Sequence, residues 1–235
     1  MKVIVNNDIG EVKLSTMQKI LSKKNIVERA EIFIQEICNL NPTQYPETEH
    51  INAFTKWLES IVIPAIEPPY EFKINGKLFK SSYLQFKGKK ISALLEMQIA
   101  YLIEASNIEI DQEKFKGIDN IAALFYREDW SKDWDYIEYI NNAILFENSK
   151  IKYSLYGLTK YNELILNLKN SYPILYQGAE EEEAKTDGRK MFDLLNAISQ
   201  DNPINYKEAR NVKISDAFIW MEEKKIQSAK QKLKK

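Results

Sequence analysis

Apolar side chains recur at helical spacing through most of this chain. Ile26, Ala30, Phe33, Ile34, Ile37 and Cys38 share one face of a predicted helix over about 26–39. Met17, Ile20 and Leu21 predict a shorter one over about 15–23, with Ser15 and Thr16 as candidate caps. Ile51, Phe54, Trp57, Leu58 and Ile61 predict a third over about 48–62. Pro64, Pro68 and Pro69 then stop helix formation and give a stiff connector. Later stripes predict helices over about 89–105, 119–127, 133–146, 159–171 and 190–198. A short helix near Tyr206–Arg210 and a last one from about 216 follow, with Ser215 as its candidate cap. Residues 151–156 alternate and fit either strand or helix.

Two stretches carry the strand pattern. Val3 to Val5 and Val12 to Leu14 flank a polar turn and predict a small hairpin or extended arm. Asn75-Gly76, between Tyr70 and Lys80, is the strongest hairpin signal, because both central residues of a type I′ turn need positive φ. Phe72 and Ile74 are expected to share a face with Leu78, and Phe79 to point the other way. The pattern as a whole predicts a mainly α fold, a multi-helix orthogonal bundle with one or two small β-hairpins. The expected division is 1–66 (hairpin plus helices), 67–177 (hairpin plus helical core) and 178–235 (acidic linker plus helical module).

Composition narrows the function classes. At 235 residues, 44% hydrophobic and 29% charged, this is an ordinary folded chain, and its net charge of -1 gives no global case for nucleic-acid or membrane binding. Seven glycines speak against phosphate-cradling loops, and no such motif is present. The N-terminus lacks the apolar core of a signal peptide and no run reaches the roughly 18 residues of a membrane span, so a soluble protein is expected. Cys38 is the only cysteine, which excludes an internal disulfide, and its apolar neighbours predict a buried thiol. His50 is the only histidine, which argues against histidine-based metal sites and catalytic triads. It is expected on a solvent-exposed loop. No cofactor or metal site is predicted.

Carboxylates are plentiful, so only their arrangement argues for acid/base chemistry. Glu128, Asp129, Asp133 and Asp135 crowd Trp130 and Trp134, as a glycosidase would require. The simpler expectation is that Asp129 and Asp133 cap helices while the tryptophans pack. Glu71 and Lys73 faintly match the strand of metal-dependent nucleases, but alternating Glu and Lys usually mark the solvated face of a hairpin. At the C-terminus, Ile219, Ile226 and Leu233 stand at seven-residue steps with Ala229 between, half of a coiled-coil seam. Glu222 and Glu223 interrupt the seam. Lys224, Lys225, Lys230, Lys232, Lys234 and Lys235 complement the end of that helix and leave nucleic acid open as an alternative partner.

From Tyr70 onward the order of features resembles tail-assembly chaperones and related small helical assembly proteins of tailed bacteriophages. The matching pieces are EFKINGKLFK (Glu71–Lys80), LLEMQIAYL, IAALFYRED and the stretch LLNAISQDNPINYKEARNVKISDAFIWMEEKK over 194–225. The N-terminal 65 residues and the tyrosine and tryptophan content depart from that pattern. The resemblance implies a non-enzymatic structural or assembly protein of the virion or the host cytoplasm. It would bind other virion proteins through helical surfaces, and a homo-oligomer is compatible with the same surfaces. The expected partner-contacting residues are Trp130, Trp134, Phe218, Trp220, Ile226 and Leu233. The alternatives are a particle-packaged protein associated with DNA, or a nuclease or glycan-acting enzyme using Glu71/Lys73 or Asp129/Asp133.

Overall fold

The computed structural model describes residues 8–60, 67–81, 97–176, 196–199 and 205–232. The fold is mainly α with a small antiparallel sheet. Two compact units interleave along the chain. Unit 1 comprises Met1–Pro69, Glu109–Ala123 and Ile137–Thr159; unit 2 comprises Tyr70–Ile108, Leu124–Tyr136 and Lys160–Lys235. The first expected boundary, after residue 66, falls close to the end of the first segment of unit 1, and from there the units alternate. The acidic linker expected from residue 178 lies outside the described residues, as does most of the helix expected over 190–198.

Unit 1 is built on α1 (Leu14–Ser22), α2 (Ile26–Ile32) and α3 (Glu47–Ser60). The α2 helix continues through one π-helical stretch, Phe33–Ile37. Phe33 packs between Phe54 and Trp57, with ring centroids 5.6 and 4.8 Å away. Leu14, Met17, Ile20 and Ile34 close the same core, which also takes Ile118, Ile151 and Leu158. The first arm of the expected N-terminal hairpin is outside the described residues, and the second is not a strand. Ile9–Glu11 is a 3-10 turn capped by the Asp8 carboxylate, and α1 already starts at Leu14. Lys13 makes an isolated antiparallel bridge with Lys150. That early start also places Ser15 and Thr16 inside α1 and not at its cap; the Thr16 hydroxyl donates to Glu36 instead.

Residues 151–171 form one helix, α7 (Ile151–Ser171), where the sequence allowed a strand before a helix. Its Gly157 is fixed by packing, because a Cβ there would lie 2.2 Å from the Ala122 Cα. Ala122 belongs to α5 (Ile118–Phe125), so the missing side chain is what lets the two backbones touch.

In unit 2, β1 (Glu71–Ile74) and β2 (Lys77–Ser81) form the predicted hairpin, with φ of 49° at Asn75 and 84° at Gly76. The pairing sets Phe72 opposite Phe79 and Lys73 opposite Leu78. Opposed residues point to the same side of a sheet, so Phe79 joins Phe72 and Ile74 on the buried face and Leu78 lies on the other. The expected assignment of Leu78 and Phe79 was therefore inverted. A third strand, β3 (Tyr126–Arg127), pairs Arg127 with Lys80 and Tyr126 with Ser81. This pairing ends α5 at Phe125, short of the helix expected to reach residue 127.

The α4 helix (Ile99–Asn107) starts at Ile99, because Gln98 is extended and bridged to Lys213, and residues 89–96 of the helix expected over 89–105 lie outside the described residues. The α6 helix (Tyr136–Glu147) likewise begins beyond the reach of an Asp133 cap. A short α8 (Pro173–Tyr176), α9 (Tyr206–Arg210) and the long α10 (Ile214–Lys232) complete the described elements. Ile99 and Ile103 of α4 pack with Ala209 and Ala217. Since α10 starts at Ile214, Ser215 sits in its first turn and is not the expected cap. Among the described residues, no helix is long and apolar enough to cross a membrane.

Candidate partner-binding surfaces

Trp130 and Trp134 come together in unit 2, around a cation that belongs to the chain. Trp130 lies 5.4 Å from Tyr101 between ring centroids, and Trp134 meets Tyr101 edge-on at 5.3 Å. The guanidinium of Arg127 stands 5.7 Å from the Tyr101 ring centre and 5.6 Å from that of Trp130. It donates to the Tyr101 hydroxyl and to the carbonyls of Lys132 and Asp133. The Trp130 indole N–H donates to the Lys80 carbonyl over 2.8 Å, and Gln98 accepts from the Trp134 backbone N–H. Arg127 is fully buried and both tryptophans are half-buried. A cation held against aromatic faces is the arrangement of a cation-binding cage, but here Arg127 already fills it. The cluster staples the Asp129–Asp133 segment to the sheet and to α4.

The neighbouring carboxylates are engaged in the same local architecture. Asp129 accepts from the backbone N–H and hydroxyl of Ser131 at 2.9 and 2.7 Å. The Ser131 bonds, then the charges of Lys132 and Arg127, hold its carboxyl below the usual range. Asp133 accepts from the Gln98 side chain at 3.4 Å, and Glu128 pairs with Lys77 at 2.7 Å. Glu71 and Lys73 are both exposed on the outer side of β1.

The long α10 helix carries the other predicted contact residues, and it changes character along its length. Its first half is anchored: Phe218 is 3% exposed and packs on Tyr172, with ring centroids 5.4 Å apart. Phe218 is thus a core residue and not the expected partner contact, because α10 turns it inward with Ile214 and Ala217. Trp220 is half-buried against the α4–α9 cluster, with the Lys224 ammonium 5.6 Å from its ring centre. The second half is bare, and every residue from Glu223 to Gln231 is exposed. Ile219 and Ile226 remain in solvent at 48% and 37% exposure. Lys225 donates to the Ile174 carbonyl of its own chain, whereas Lys230 is exposed. Lys232 ends the described helix, and Leu233, Lys234 and Lys235 lie outside the described residues.

Three features were not foreseen. Ile137 and Ile144 of α6 are 71% and 53% exposed, a second bare apolar stripe seven residues apart. His50 is not on an exposed loop: it lies in α3, only 2% exposed, and neither ring nitrogen has a hydrogen-bond partner among the described residues. Its spacing from Phe54 and Trp57, i, i+4 and i+7, was the signal that it faces inward. A cleft of about 370 Å³ in unit 1 is lined mainly by Gln18, Lys114, Lys116, Asp119, Asn120 and Glu147. Lys114 and Lys116 are bound to Asp111 and Glu109 at 2.9 and 2.8 Å. Burial raises the Asp119 carboxyl above its usual range, and nearby Glu147 adds to the rise.

Cys38 is half-buried against the unit 1 core, where burial pushes its thiol up to about 11. Among the described residues no three His, Cys, Asp or Glu side chains are grouped to hold a metal ion. Comparison with protein families, curated proteins and solved structures gives no match. The likeness to phage assembly proteins therefore rests on the order of sequence features alone.

Proposed function

We propose that this chain is a non-enzymatic structural or assembly protein of a tailed phage, binding other virion proteins through helical surfaces. The observation that carries the reading is the outer face of α10, where Ile219 in the first half and Ile226 in the bare second half are both exposed. A helix with little packing along its length is marginal in water, since most helical stability in proteins comes from a buried face. Large apolar side chains held in solvent on such a helix are what a binding surface offers. The isoleucines of α6 extend the same argument to unit 1. The phage assignment within this reading comes from the sequence resemblance, and the exposed surfaces give it a means of action.

The test is incorporation. In a phage whose genome encodes this chain, deleting the gene is expected to lower the yield of complete particles. Complementation with Ile219→Asp/Ile226→Asp is expected to fail while the variant protein accumulates in folded form. Normal particle yield without the gene, or full rescue by the double variant, would overturn the proposal.

A further inference from the structure

The exposed half of α10 is self-complementary, and the geometry points to its occupant being a second copy of the same helix, packed antiparallel across a two-fold axis beside Ile226. This rests on the reading of α10 as a binding surface and names its partner. The seven-residue stripe is not packed on the chain's own core, because Ile219 and Ile226 are both exposed.

Charge decides in favour of a second copy. Glu222 and Glu223 precede Ile226, and Lys230 follows it. In an antiparallel pair centred on Ile226, each residue n meets the residue of the second copy for which the two numbers sum to twice 226. Ile226 then faces Ile226, and Glu223 is offset from the level of Lys230 of the second copy by one residue, about 1.5 Å of helix rise. Glu222 is half-buried with its Oε1 covered by its own chain, so Glu223 carries the pairing. The two-fold axis repeats the pairing, so acids meet lysines at both ends of the contact. Ala229 falls at the level of Glu223 of the second copy, and its small side chain lets the helices approach.

Lys224 and Lys225 do not oppose this pairing. Lys225 would lie level with Gln227 of the second copy, close to the axis, but its ammonium is drawn to the Ile174 carbonyl. Lys224 lies over the Trp220 ring. A parallel pair would instead align Glu223 with Glu223 and Lys230 with Lys230, which is repulsive throughout. An anionic partner such as nucleic acid would engage Lys230 but leave Ile226 and Glu223 unused.

Sedimentation velocity on the full chain over a rising concentration series tests the pairing. Wild type is expected to pass from monomer to dimer, and Ile226→Asp to remain monomeric with unchanged helical circular dichroism, since the position is exposed. Glu223→Lys and Lys230→Glu are each expected to weaken the dimer at least tenfold, and an equimolar mixture of the two to dimerise again. A wild type that stays monomeric at high micromolar concentration would overturn the inference. So would a dimer indifferent to Ile226→Asp, or a mixture no more associated than its components. None of those outcomes bears on particle incorporation, so failure here leaves the assembly role to be judged by its own test.

Discussion

Gly157 shows most directly how much a single position can hold. Nothing about its backbone demands glycine; the Ala122 Cα at 2.2 Å from an added Cβ does. Gly157→Ala therefore cannot be accommodated without parting α5 and α7, despite alanine being the better helix former. The expected cost is about 1–3 kcal/mol, read as a lowered midpoint in thermal or urea unfolding. Cys38 gives a second residue-level expectation. With its thiol pushed up to about 11 from an ordinary 9.0, the thiolate fraction at neutral pH falls about a hundredfold. Alkylation of the native protein should be slower than that of the urea-unfolded chain by about tenfold, because the more basic thiolate is also the stronger nucleophile and recovers part of the loss. Equal rates would show that Cys38 is not shielded. The sequence disclosed the apolar setting of Cys38 but not the burial of His50, although the spacing from Phe54 and Trp57 was available. A polar side chain between a proline-bounded loop and a helix start reads as surface until the helix boundary is known.

The clamp between the N-terminal turn and α7 supplies a prediction at the level of elements. Glu11 accepts from Lys150 and Lys152, and those hydrogen bonds hold its carboxyl below the usual value of 4.5. The folded value lies below the unfolded one, so the stabilisation is complete above about pH 4.5 and fades as the pH falls through the folded value. The groups are partly exposed, so solvent screening limits the effect to about 1 kcal/mol or less. Glu11→Gln should lose that increment at neutral pH and differ little from wild type in strong acid. A loss that persists unchanged into strong acid would place the role of Glu11 elsewhere.

Elements were legible wherever local chemistry dictated them. Asn75-Gly76 specified its turn, and the helical stripes of α1, α2, α3 and α6 were readable from spacing. What escaped was set by partners distant in sequence. Pairing with Lys80 and Ser81 turns Tyr126 and Arg127 into a strand at the end of a helical stripe. The bridge from Gln98 to Lys213 interrupts the helical stripe just before α4. The faces of the hairpin depended on register, where counting from the turn would have placed Phe79 opposite Phe72.

At the scale of the molecule, the two units exchange chain segments, an arrangement that no composition shift along the sequence announces. The aromatic-acidic stretch from Glu128 to Asp135 looked like the most specific chemistry in the sequence. Its residues instead close around Arg127, while the bare length of α10 offers apolar and charged groups outward. The seven-residue step of Ile219 and Ile226 was visible from the start; whether that stripe faced the core or the solvent was not, because amphipathic spacing is the same in both cases. Site-specific photo-crosslinking during particle assembly tests the resulting claim most directly. A benzoylphenylalanine replacing Ile226 is expected to form adducts with a virion protein or a second copy of the chain, and one replacing the exposed Lys73 on β1 is expected to form none. No adduct from Ile226, or equal adducts from both positions, would contradict the account of α10 as the binding surface.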